Sequence, residues 1–185
     1  MKESVVKDRI LDVASRLFFD QGYNLTGINQ IIEEASIARA SLYNHFDSKT
    51  DLLLAYIDKA GKQWFSEMHD YVETFEDPKA KILAVFDYRI RRQQRLGFKG
   101  CNFIKISSEV SREDTKVFEM VQAQKERSRN YIRQLVSEVK HTSPLSDELF
   151  SDMIFLLLEG GTTSGSIYRN ADTMESAKKI VEKFL

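Results

Sequence analysis

One cysteine, Cys101, stands in the whole 185-residue chain. A lone thiol excludes an intrachain disulfide framework and any metal site built from several cysteines. Two prolines and eight glycines leave little to interrupt helices. No apolar run approaches the ~18 residues of a membrane span. The strongest, Met153 to Leu158, has six. The start, Met1-Lys2-Glu3-Ser4, leads into a charged amphipathic pattern rather than an apolar leader, so the chain is expected to be cytoplasmic. His45, His69 and His141 lie in separate segments without metal-ligand spacing, and neither a glycine-rich phosphate loop nor a nucleophile elbow is present. No metal, no cofactor and no enzymatic activity are expected.

An excess of one charge is also missing. The formal net charge is −1, and residues 1–50 carry six Lys and Arg against seven Asp and Glu. Residues 78–141 hold fifteen basic against seven acidic residues, while 51–77 and 142–185 balance at −5 and −3. Bulk charge therefore does not announce a nucleic-acid protein. Any such reading must rest on local geometry.

What the chain does have is helical periodicity almost everywhere, and no convincing strand alternation. The expectation is an all-α protein. A first helix over about 4–21 places Val6, Ile10, Val13, Ala14 and Leu17 on one face and stops at Gly22, a residue suited to the left-handed position after a helix. Ser48, with Asp51 three residues on, caps a long helix running to about Val72. Asp77-Pro78 starts the next, and Gly97 and Gly100 end it. A short segment from Asn102 to Val110 precedes a charged helix from about Thr115 to Lys140. Two more helices are expected, from Ser146 to about Tyr168 and from Asp172 to Leu185. The first of these is apolar all round, then small from Gly160 to Gly165, and must be covered on several sides. A partner chain is the economical cover.

Between Gly22 and Leu54 two short helices follow in quick succession. Ile28, Ile31, Ile32 and Ala35 share one face, with Thr26 as the expected N-cap. After a break at Ser36-Ile37, a second helix carries Arg39 to Phe46, with Leu42 and Phe46 facing inward. This is the size of a helix-turn-helix, whose second helix fits the DNA major groove. The segment LTGINQIIEEASIARASLYNHFDSKTDLL resembles the signature of TetR-type transcriptional repressors. The matching elements are Thr26, then Leu42-Tyr43-Asn44-His45-Phe46, then Ser48-Lys49-Thr50-Asp51-Leu52-Leu53. The chain departs from that pattern at two places: Ser36, where the family commonly has Gly, and Ala38, where a capping side chain is common.

The resemblance implies an N-terminal three-helix helix-turn-helix DNA-binding domain over residues 1–50 and a C-terminal helical effector-binding and dimerisation domain over 51–185. It implies a homodimer, paired through the last two helices, on a palindromic double-stranded operator, released by a small-molecule effector. On that footing Arg39 is the candidate for base readout, since its guanidinium pairs bidentately with guanine, and Asn44 is the next. Ala40 and Ser41 offer methyl or hydroxyl contacts. Tyr43, His45, Thr26 and Lys49 are candidates for phosphate. Tyr43 as a half-buried core aromatic, His45 as a bystander and Arg39 as a solvated charge remain the alternatives.

Candidate effector-pocket residues are Trp64, Phe65, Phe86, Arg89, Cys101, Phe103, Phe118, Tyr131 and Phe155, each of which could equally be core packing. Arg89, Arg91, Arg92 and Arg95 would suit an anionic ligand, although such a run is ordinarily a solvated helix face. Cys101, near Lys99 and Lys105, is either a redox- or electrophile-sensing thiol or a small core residue. A helical adaptor without specific DNA binding is the remaining alternative.

Overall fold

A computed structural model describes residues 2–185, with side chains from Val5 onward. The described residues form α1 (Lys2–Asp20), α2 (Ile28–Glu34), α3 (Arg39–Tyr43), α4 (Lys49–Val72), α5 (Pro78–Arg95), α6 (Asn102–Glu109), α7 (Thr115–Ser137), α8 (Asp147–Tyr168) and α9 (Asp172–Glu182), with no strand among them. They divide into two compact units. One holds Met1–Gln63 and Asn102–Ala123, and the other holds Trp64–Cys101 and Gln124–Leu185.

In the first unit α1 buries Ile10, Ala14, Leu17 and Phe18, as its 3.6-residue spacing requires. Gly22 ends it at φ 95°. Helix α2 contributes Ile31 and Ala35 to the core, α3 contributes Leu42, and Phe46 follows. Between α2 and α3 the chain turns through Ser36 at φ 51°, a left-handed conformation reached without glycine. The Ser48 hydroxyl accepts from Asp51 N–H at 3.0 Å and donates to the Asp51 carboxylate at 2.7 Å, so the expected cap of α4 is in place.

The start of α2 differs from expectation. Its N-cap is Gly27 rather than Thr26. Thr26 is fully buried, and its hydroxyl donates back to Gly22 O at 2.7 Å. That bond ties the turn shut and takes the hydroxyl away from α2. Helix α3 is also shorter than read, because His45 N–H returns to Leu42 O, three residues back, and closes the last turn tightly.

The second unit is built around α5, α8 and α9, with the second halves of α4 and α7 packed on the same core. Asp77 accepts from Ala80 N–H at 2.8 Å ahead of Pro78, and Ser146 accepts from Leu149 N–H at 3.3 Å, so both caps follow the sequence. Phe86, Phe150, Ile154, Leu158 and Val181 are buried at its centre. Helix α9 stops at Glu182 rather than Leu185, because Thr142 N–H and its hydroxyl both donate to Phe184 O and draw the tail aside. Helix α7 stops at Ser137 rather than Lys140, tightening through three-residue bonds such as Val139 N–H to Val136 O at 3.0 Å.

Candidate nucleic-acid interface

Helix α3 is only five residues long and has one buried side, Leu42, with Phe46 just beyond it. Everything else on it faces outward. Arg39, Ala40 and Asn44 are exposed, Ser41 and His45 are partly exposed, and Tyr43 is 42% exposed. The Arg39 guanidinium stands 6.0 Å from the centroid of the Tyr43 ring. The tyrosine therefore lies on the surface beside the arginine and is not folded into the core. A thin helix of small residues, flanked by one guanidinium and one amide, has the shape and donors that a major groove accepts.

Lys49 sits at the first turn of α4 with its ammonium 4.2 Å from the centroid of the Tyr23 ring, and the Tyr23 hydroxyl lies 3.4 Å from Thr50 Oγ1. Burial lowers the Lys49 pKa, and the Glu109 carboxylate partly offsets that. Of the eight residues proposed from sequence for DNA, seven present some surface. Thr26 does not; its side chain is inside the α1–α2 turn.

The segment that holds these residues has recognisable relatives. Residues 10–56 match the family model of bacterial regulatory proteins, tetR family. It is this segment, and not the whole chain, that matches the TetR family. Among curated relatives, the HTH-type transcriptional regulator LmrA of Bacillus subtilis is 37% identical over 79 residues, covering 42% of this chain and 42% of its own. The biofilm operon icaADBC HTH-type negative transcriptional regulator IcaR of Staphylococcus aureus is 45% identical over 47 residues, covering 25% of each chain. The chain spans about half the length of the first curated relatives it matches. A solved TetR-family transcriptional regulator from Streptomyces coelicolor superposes with a TM-score of 0.86 at 24% identity, covering 97% of this chain and 93% of that one, and so shares the all-helical fold.

The candidate pocket residues fall into three groups. Phe103 and Phe118 belong to the first unit, apart from the other seven. Phe86 is fully buried at the centre of the second core, and Phe155 packs against its edge. Trp64, Arg89 and Cys101 meet at a polar cluster in the second unit, with Phe65 beside Trp64 and Tyr131 beside Phe65. Arg89 is 7% exposed; its guanidinium lies 4.8 Å from the Trp64 ring centroid and donates to Thr162 Oγ1 at 3.3 Å and Glu159 Oε1 at 3.5 Å. Lys125 donates to the other Glu159 oxygen and to Cys101 Sγ, the latter at 3.4 Å. Phe65 meets Tyr131 edge-on, with ring centroids 5.5 Å apart.

Burial alone would raise the Glu159 carboxyl, but the charges and hydrogen bonds of Arg89 and Lys125 outweigh it and hold the pKa below the ordinary glutamate value. The cluster holds two cations and one carboxylate. Arg89 Nε and Gln93 Oε1 are buried without a hydrogen-bond partner.

Sequence reasoning found Arg89 but missed Lys125, Glu159, Thr162 and Gln93. One signal was available. Glu159 follows the apolar run 153–158 on α8, and a carboxylate there must find a cation. The arginine run itself divides: Arg89 turns inward, while Arg91 is exposed over the Tyr71 ring and Arg95 pairs with Glu67 at the surface.

Proposed function

We propose that this chain regulates transcription as a repressor. Residues 1–50 bind DNA, and 51–185 bind an effector and a second copy of the chain. One observation carries the reading. Within a segment of the TetR family, α3 buries Leu42 and turns Arg39, Ala40, Tyr43 and Asn44 outward. Arg39 and Asn44 read base edges, with Ala40 and Ser41 beside them, and Tyr43, His45 and Lys49 take phosphates. Thr26 holds the turn that precedes α2 instead of touching phosphate through its side chain.

The operator is palindromic because two copies face it through a two-fold axis. Support for the dimer comes from α8. Leu149, Leu156 and Ile167 are all exposed and recur at spacings of seven and eleven residues, on the side opposite Phe150, Ile154, Leu158 and Gly165. Ile180 is the exposed apolar residue of α9. The effector is a small molecule that binds the DNA-incompetent state better than the competent one, and the Arg89 cluster is its proposed place. Fluorescence anisotropy on DNA flanking the gene, at two salt concentrations and against random competitor, tests this. Tight, salt-sensitive, competitor-resistant binding is expected. Equal binding to random DNA there and in an unbiased sequence selection would favour the adaptor reading.

A second reading rests on the Lys125 ammonium beside the Cys101 sulfur. In it the signal is an oxidant or electrophile that reacts with the thiol and breaks this contact. Cys101→Ser decides: DNA release by oxidants and electrophiles should be lost, and an unchanged response ends the reading.

A further inference from the structure

The turn between α1 and α2 is held by a residue 85 positions away in sequence. Asn24 N–H donates to Glu109 Oε2 at 2.8 Å, and Asn24 Nδ2 donates to the Glu109 backbone oxygen at 2.8 Å. The same carboxylate lies over the bare Cα of Gly22, where a Cβ would stand 2.7 Å from Glu109 Oε1. Glu109 is the last residue of α6, and both segments belong to the first compact unit. A carboxylate that accepts a backbone N–H forms a charge-assisted bond, stronger than an ordinary amide pair. The turn it grips runs straight into the interface. Thr26 reaches back to Gly22 O, Gly27 caps α2, and Tyr23 carries the Lys49 ammonium on its ring.

We propose that Glu109 is a positioning residue for DNA binding. From outside residues 1–50 it fixes the α1–α2 turn, and so sets where α2 begins and where Lys49 presents its charge. This rests on the DNA-binding reading above. Without the clamp the turn keeps the Thr26 bond to Gly22 O, the Gln21 Nε2 bond to Leu25 O and the Tyr23 contacts, but Asn24 N–H loses its acceptor in a stretch that also holds Gly22 and Gly27. It then samples other conformations, and α2 and Lys49 meet the backbone of DNA in the right register for part of the time only.

Two variants separate the clamp from general stability. Glu109→Gln keeps an amide oxygen that accepts from Asn24 N–H, while Glu109→Ala removes the acceptor and leaves the α6 backbone intact. Hydrogen exchange over residues 21–28, read without DNA, is expected to rise about tenfold in Glu109→Ala and to stay near wild type in Glu109→Gln. Exchange in the second unit should not change. Affinity for the sequence the unsubstituted protein selects from a random DNA pool should fall about tenfold in Glu109→Ala and be largely restored in Glu109→Gln. Unchanged exchange in Glu109→Ala would remove the clamp. Faster exchange with undiminished affinity would remove its role in DNA binding. A wild-type protein that selects no sequence overturns the DNA-binding reading and the positioning role with it, and it is recognised because it occurs before any substitution is made.

Discussion

At the scale of single residues, two positive-φ positions frame the helix-turn-helix, and they respond oppositely to substitution. Ser36 sits at φ 51°, where an L side chain crowds its own carbonyl. Ser36→Gly relieves that crowding but gives the unfolded chain more freedom, so a net gain of about 0.5–1 kcal/mol is expected, read as a higher melting temperature. Gly22 at φ 95° also faces the Glu109 carboxylate. Gly22→Ala adds strain and pushes that carboxylate away, and should lower stability by about 1–2 kcal/mol in urea melts. Arg39 is the residue proposed to read a base. Arg39→Ala should cost about 1–3 kcal/mol on the preferred sequence and relax selection at one base position. A uniform loss across all sequences would make it a phosphate contact.

At the scale of elements, signals confined to a few residues were legible in the sequence. Ser48 with Asp51, Asp77-Pro78 and Ser146 mark helix starts through short-range bonds that the local residues supply themselves, and Gly22 marks an end by its left-handed backbone. Where a side chain had a choice of partners the reading slipped. Thr26 bonds back to Gly22 rather than forward into α2, and Thr142 pulls Phe184 out of α9. The buried cluster was hardest to read, because Glu159 meets Arg89 across 70 positions and Lys125 across 34. Local periodicity carries no record of such pairs.

The cluster has a pH signature. Glu159 is held below its ordinary value, so its ionised form favours the folded state. That contribution is in place above about pH 4.5 and is lost as pH falls through the lower folded-state value. Glu159→Gln, which strands Arg89 and Lys125, should destabilise by about 3 kcal/mol at neutral pH. Asp152 and Glu73 are also held low by basic partners and add their own acid dependence, so the readout is the gap between wild type and variant. In urea melts that gap should narrow as pH falls below about 4. A constant gap would mean that Glu159 acts through shape and not charge.

At the scale of the whole molecule, α8 carries an apolar stripe that its own chain leaves uncovered. Its exposed stripe of Leu149, Leu156 and Ile167 is continuous along the helix, with Gly160 and Thr163 between them on the same side and Tyr168 at its end. Leu156 is 67% exposed and Tyr168 70%, and apolar groups in line like this are what a self-complementary interface buries. Small residues amid the stripe let two helices approach closely. In a two-fold pair each substitution acts twice. Leu156→Glu therefore removes two buried leucines and sets two carboxylates against an apolar partner surface, costing about 3–6 kcal/mol of association from the lost burial alone. Sedimentation should move from dimer to monomer. Far-ultraviolet helix content should stay the same, because Leu156 contributes little to the core of its own chain. The same variant should lose affinity for a full palindrome while keeping its weak binding to one half-site, since α3 is untouched. A dimer that survives Leu156→Glu would place the two-fold contact elsewhere than on this stripe. A monomer that still binds the full site tightly would mean that each half-site is read independently, and pairing through α8 would then have no part in operator recognition.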